Sequence, residues 1–171
     1  VNELYAHVFG LNYGLECIGL RYFNVYGRRQ SPDGAYAAVI PKFVHLLRNG
    51  QSPTINGTGD NSRDFTYIDN VIQMNHLAGT TTNLQAVGQV FNTAVGERAT
   101  LLQLTTLLKK YLSEFQPEIA DIEVLHGPER QGDIPHSLAS IEKARKLLGY
   151  IPTHNLEKGL METIEYIMKE M

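Results

Sequence analysis

The chain has 171 residues, 43% of them apolar, enough for one compact domain and short for two. Eighteen acidic residues against fifteen basic ones give a net charge of -3, so there is no cationic footprint for a nucleic-acid backbone, and an anionic ligand has to be met by a few placed cations. The single cysteine, Cys17, cannot form an internal disulfide, and no apolar run approaches bilayer-spanning length, which points to a reducing, cytoplasmic setting.

Glu3, Leu4, Tyr5, Val8 and Phe9 are spaced as on a helix that Gly14 can end. No initiator Met and no cap residue precede them, so the expectation is the C-terminal piece of a longer protein. Residues 16–22 form an apolar run of strand length, with Cys17 expected in a buried strand that delivers Asn24 to a loop. Residues 25–36 are rich in turn formers and arginine. A helix is expected over 37–48, with Pro41 near its first turn and Val39, Ile40, Phe43 and Leu47 on its apolar side.

Residues 54–56 read as a short strand, Gly57 to Asn61 as a tight connection, and residues 64–68 as a second strand. Asp69 is a candidate cap for a helix reaching about Ala78. After a polar loop over 79–88, a strand is expected at 90–95. Thr100 and Gln103 have the spacing of a capping box ahead of Leu101, Leu104, Leu108 and Tyr111. Residues 122–125 alternate like a strand, 127–137 form a loop, and helices are expected over 140–148 and 156–168, separated by Gly149 and Pro152. Mixed strands and amphipathic helices indicate an α/β or α+β class.

Several chemistries are excluded. No three glycines have the spacing of a dinucleotide fingerprint, and no phosphate loop is present. None of the nine tyrosines has a lysine four positions later. The six histidines form no paired-ligand motif, which argues against a metal site, and no serine stands in a nucleophile elbow.

What remains are three polar clusters: Arg21-Tyr22-Phe23-Asn24, Ser62-Arg63-Asp64-Phe65 and Arg130-Gln131-Gly132-Asp133. Arg63 follows a glycine-containing turn, and its guanidinium could clamp a diphosphate or pair with Asp64 or Asp60. Arg130 has the same two readings. Asp133 could accept from ribose hydroxyls or cap a turn, and Asn24 could reach a ligand or bond a loop backbone. Phe23 reads as core. Arg28 and Arg29 are adjacent in sequence and do not both face one ligand.

The runs Arg21-Tyr22-Phe23-Asn24-Val25-Tyr26-Gly27, Gly57-Thr58-Gly59, Ser62-Arg63-Asp64-Phe65-Thr66-Tyr67-Ile68-Asp69-Asn70-Val71 and Phe91-Asn92-Thr93-Ala94-Val95-Gly96 resemble the extended short-chain dehydrogenase/reductases, specifically the NAD-dependent nucleotide-sugar 4-epimerases. The run over 28–42 is similar to the subgroup acting on UDP-N-acetylglucosamine (UDP-GlcNAc) and UDP-N-acetylgalactosamine (UDP-GalNAc) in surface-polysaccharide synthesis. The resemblance implies an α/β fold. Residues 1–171 would be the C-terminal UDP-sugar-binding portion, with late Rossmann elements near 1–24 and 90–96, and the NAD-binding N-terminal portion would lie outside the chain.

In that family NAD takes hydride from sugar C4 and returns it to the other face, with a tyrosine and a nearby lysine as acid and base. That pair lies upstream of the opening helix, so the chain by itself is expected to be inactive. By matching position, Tyr22 passes the nicotinamide, and Asn24 with the backbone at Ala38 and Val39 meets the diphosphate or adjoining sugar. Thr54 and Asn56 flank uracil, Arg63 and Arg130 bind phosphate, Asp133 binds ribose, and Ser137 lines the hexose pocket. A small side chain at Ser137 leaves room for an acetamido group. The family also implies a homodimer, packed in part through the opening helix. The alternatives are another NAD-dependent nucleotide-sugar epimerase or dehydratase, and a non-catalytic nucleotide-binding or oligomerisation module.

Overall fold

The structure is a computed structural model and describes residues 1–33, 38–129 and 131–169. In chain order the elements are α1 (Asn2–Tyr13), β1 (Gly19–Tyr22), β2 (Val25–Tyr26), α2 (Val39–Arg48), β3 (Thr54–Asn56), β4 (Ser62–Arg63), β5 (Thr66–Tyr67), α3 (Ile68–Thr80), β6 (Val90–Thr93), β7 (Ala99–Thr100), α4 (Leu101–Ser113), β8 (Leu125–Gly127), α5 (Glu142–Leu148) and α6 (Leu156–Lys169). The strands pair as β1 with β6, β2 with β5 and β3 with β8, all parallel, and β4 with β7 antiparallel. Parallel pairs favour covered faces; α3 and α5 pack on β6 and α3 and α6 on β5, whereas Thr54, Asn56, Leu125 and His126 leave much of the β3–β8 pair exposed.

Local chemistry accounts for most of the boundaries. Thr100 accepts from the Gln103 amide, and the Gln103 side chain accepts from the Thr100 amide, closing the expected capping box on α4. Pro41 sits in the first turn of α2, where its missing N–H leaves no intrahelical bond unmade. Gly149 ends α5 with φ of 66°, a left-handed geometry that suits glycine.

Five expectations need correction. The strand expected at 64–68 is only β5, Thr66–Tyr67, because Asp64 turns its carboxylate to the Val95 and Gly96 amides and Ile68 already begins α3. The first strand begins only at Gly19, and Cys17 lies half-buried before it. The strand expected at 122–125 is β8, three residues later, because its register is set by pairing with β3, Thr54 opposite Leu125, rather than by its own alternation; a 3-10 turn, Pro117–Asp121, precedes it. Helix α3 starts at Ile68 with no side-chain cap, and Asp69 instead pairs with Arg28 at 3.1 Å. The loop expected at 79–88 contains the last two residues of α3 and the 3-10 turn Leu84–Ala86.

Two apolar cores result. One joins Tyr26, Ile40, Phe43, Leu47, Ile55, Tyr67, Leu104, Leu108, Leu160 and Ile164 from α2, β2, β3, β5, α4 and α6. The other gathers Met74, Phe91, Ala94, Ile141, Ala144, Leu148 and Tyr150 behind the β1–β6 pair, with Phe23 packed on it. Helix α1 buries none of its residues.

Candidate functional site

The site lies where α2, β3 and β4 meet. Strand β3 alternates exposed, buried, exposed, so Ile55 enters the core while Thr54 and Asn56 face outward together. Helix α2 begins at Val39 behind Ala38, which offers no side-chain cap, so the free N–H groups of its first turn present partial positive charge. Asn24 turns the chain between β1 and β2 with φ of 34°, a conformation that asparagine tolerates better than most residues.

A cavity of about 310 Å³ lies at this junction, and its lining includes Asn24, Val39, Thr54, Asn56, Arg63 and Asp133. Six residues expected at the ligand from five separated segments therefore share one hollow. Ala38 lies in a smaller adjoining hollow of about 130 Å³ that shares Asn24, Val39 and Phe65 with it. Ser137 and Tyr22 line neither hollow. Ser137 is tied by its amide to the carbonyl of Ser62 at 3.0 Å, while Tyr22 is 52% exposed and donates to Asn75 Oδ1 at 3.0 Å. Arg130 lies outside the described residues.

Arg63 shows how the cavity is kept cationic. Its Nη1 donates to the carbonyls of Ser62, at 2.9 Å, and Pro135, at 3.3 Å. Among the described residues it makes no ion pair, and the two carboxylates expected from sequence as its alternatives, Asp60 and Asp64, have other partners. Asp60 accepts from the Thr58 hydroxyl. Asp64 is fully buried and accepts from the amides of Val95 at 3.0 Å, Gly96 at 2.9 Å and Ala139 at 3.5 Å. Burial raises the Asp64 carboxyl above its ordinary range despite these three donors. Asn24 follows the backbone reading in part, since its Nδ2 donates to the carbonyl of Asp64 at 3.0 Å while the residue still borders the cavity.

Arg21 does not join the site. Its Nε and Nη2 each lie 2.6 Å from the carboxylate of Glu3 on α1. Arg28 pairs with Asp69, and Arg29 donates to the Tyr166 hydroxyl at 3.2 Å, so neither adjacent arginine lines the cavity. Lys42 and Asn61 also line it without a ligand role expected from sequence, as does Phe43, which was expected on the apolar side of its helix and belongs to the core. Lys42 and Phe43 stand three and four positions after Val39, one helix face, and that spacing was a usable signal. Asp69, His154 and Glu162 bring potential ligand atoms within 4.8 Å of one another. These carboxylates are already occupied, Asp69 by Arg28 and Glu162 by the Tyr67 hydroxyl and the His154 ring, so the cluster is a polar network.

Comparison with known proteins gives a consistent result. The model of the NAD dependent epimerase/dehydratase family matches residues 1–94. A UDP-N-acetylglucosamine 4-epimerase from Methanobrevibacter ruminantium, solved with UDP-N-acetylmuramic acid, superposes with a TM-score of 0.88 at 38% identity over 99% of this chain and 51% of that one. A UDP-glucose 4-epimerase from Thermotoga maritima with UDP-glucose gives 0.87 at 38% identity, over 98% and 51%. The UDP-glucuronic acid 4-epimerase of Bacillus cereus, with UDP-glucuronic acid and NAD, gives 0.81 at 31% identity, over 99% and 50%. The chain spans about half the length of the curated relatives it matches.

Proposed function

Because the chain belongs to the NAD dependent epimerase/dehydratase family, we propose that residues 1–171 are the UDP-sugar-holding portion of an NAD-dependent UDP-sugar 4-epimerase, one that interconverts UDP-GlcNAc and UDP-GalNAc. The observation that carries the reading is the single cavity to which β1–β2, α2, β3, β4 and the 131–137 segment each contribute a polar group or a free backbone amide. In this reading Arg63 and the first turn of α2 meet the diphosphate, Asn24 the diphosphate or adjoining sugar, Thr54 and Asn56 the uracil, and Asp133 the ribose. Arg130 is proposed as a second phosphate ligand. Helix N-termini and guanidinium groups are the usual partners of phosphate oxygens.

NAD supplies hydride acceptance and return when bound. This chain fits only the edge of such a group: the C-terminal ends of β1 and β6 run in parallel beside Tyr22, but no glycine-rich turn is available for the dinucleotide phosphates. Tyr22 is the proposed contact. The chain alone is read as a holder of substrate without turnover, in a cytoplasmic enzyme of surface-polysaccharide synthesis. The N-acetyl preference rests on the run over 28–42 and on the small side chain of Ser137, which lines neither hollow of this chain and is proposed to border the hexose beyond them. Titration of the chain with UDP tests the reading, with saturable binding expected that weakens when Arg63 is replaced by alanine. A chain with no UDP affinity defeats it.

A second reading, an oligomerisation module, is favoured by α1, where Leu4, Leu11 and Tyr13 are more than 70% exposed. The two readings are compatible, and a homodimer would satisfy both.

A further inference from the structure

Segment 131–139 carries Asp133 and Ser137, yet apart from one bridge residue it has no regular secondary structure and is mostly exposed. Three consecutive residues of the 62–64 run hold it. The Ser62 amide donates to the carbonyl of Pro135 at 2.9 Å, and the Ser62 carbonyl accepts from the Ser137 amide at 3.0 Å, which makes a parallel bridge between Ser62 and His136. Arg63 Nη1 reaches the same Pro135 carbonyl, and Asp64 accepts from the Ala139 amide. One side-chain contact completes the set: the Ser62 hydroxyl lies 2.9 Å from His136 Nδ1.

The two partners differ in a telling way. Ser62 is 2% exposed, so its hydroxyl needs a partner within the protein, and among the described residues the imidazole is that partner. His136 is exposed, so the ring fills no space in either core. A solvent-facing ring whose Nδ1 turns inward to a buried serine acts as a fastener between the segment and β4.

Resting on the UDP-sugar reading above, we propose that His136 is a positioning residue: through Ser62 it latches the 133–139 segment onto β4 and fixes where Asp133 and Ser137 stand beside the nucleotide sugar. Because Arg63 shares the Pro135 carbonyl with the latch, the cation and the segment keep a common register.

The test uses the 171-residue chain and the variants His136→Ala, Ser62→Ala, their double mutant and His136→Asn, whose amide can stand where Nδ1 stands. In the unliganded protein, amide hydrogen exchange at Ser62 and Ser137 is expected to quicken about five- to tenfold in either single variant, the loss of one hydrogen bond. The double mutant should add nothing, since both changes remove one contact. His136→Asn should restore slow exchange. The dissociation constant for UDP-GlcNAc should follow the same order, rising in both alanine variants and recovering in the asparagine one. Unchanged exchange in His136→Ala overturns the latch. Faster exchange with unaltered UDP-GlcNAc affinity overturns the positioning role. A wild-type chain that binds no UDP sugar overturns the nucleotide reading and the positioning role with it, a failure distinguished from failure of the latch by the exchange measured without ligand.

Discussion

Around Tyr26, Tyr67, Leu104 and Leu160 the side chains close on one another until none is more than 2% exposed, whereas twelve-residue α1 buries nothing and shows Leu4, Tyr5, Leu11 and Tyr13 to solvent. Both regions are rich in apolar residues. Apolar content therefore does not decide whether a face is finished; the presence of a second layer does. A helix of that length has little stability of its own in water. Here α1 is held by the Glu3–Arg21 pair and by the turn at Gly14, both at the surface, where an ion pair contributes little.

The contrast can be broken most sharply by trimming both faces. Leu160→Ala should cost roughly 2–5 kcal/mol by emptying part of the closed core, while Leu11→Ala on α1 should stay within about 0.5 kcal/mol; denaturant midpoints compare the two, and equal losses would mean that α1 is covered in solution. Next in size, Arg63→Ala should weaken UDP binding by about 2 kcal/mol, with only a small fall in melting temperature from the loss of its bonds to the Ser62 and Pro135 carbonyls. Calorimetric titration reads that difference. Gly159→Ala should lose about 1–3 kcal/mol, because a Cβ there collides with the Tyr26 hydroxyl and the Tyr67 ring.

A smaller effect concerns pH. Desolvation pushes the Glu162 carboxyl up, but the hydrogen bond and charge of His154 together with the Tyr67 hydroxyl outweigh it and leave the group below its ordinary value of 4.5. A depressed carboxyl adds stability that is fully present above 4.5 and fades as pH falls through the folded value. Melting curves of Glu162→Gln taken down through that range should lie parallel to neutral-pH behaviour, while the wild type declines more steeply. On α1, Leu11→Ser should reduce concentration-dependent sedimentation. A wild type that stays monomeric at all concentrations removes the case for a partner on that face.

Much of the fold was legible because its signals are local. The Thr100–Gln103 box, the apolar face of α2 and the stop at Gly149 depend on residues within a turn or two of one another. The strand at 122–125 was misplaced because β8 is defined by a partner about seventy positions earlier. For the site, the residue types at Asn24, Thr54, Asn56, Arg63 and Asp133 could be read, but their convergence could not, since the cavity is made by tertiary packing. Lys42 was visible as a neighbour of Val39 on a helix and was passed over. His136 carried no sequence signal, because its partner Ser62 is 74 positions away.

Buried Asn70 joins α3 to the approach of α6. Its Nδ2 donates to the carbonyl of His154 at 2.7 Å, and its Oδ1 accepts from the amides of Thr153 and His154 at 2.9 and 3.2 Å. A polypeptide that lost its tail from Thr153 onward would strip that amide group of its partners and would bare the rings that Gly159 covers. The severed tail and its stump are thus natural candidates for reassembly in trans, with a synthetic peptide spanning 153–169 restoring the missing wall.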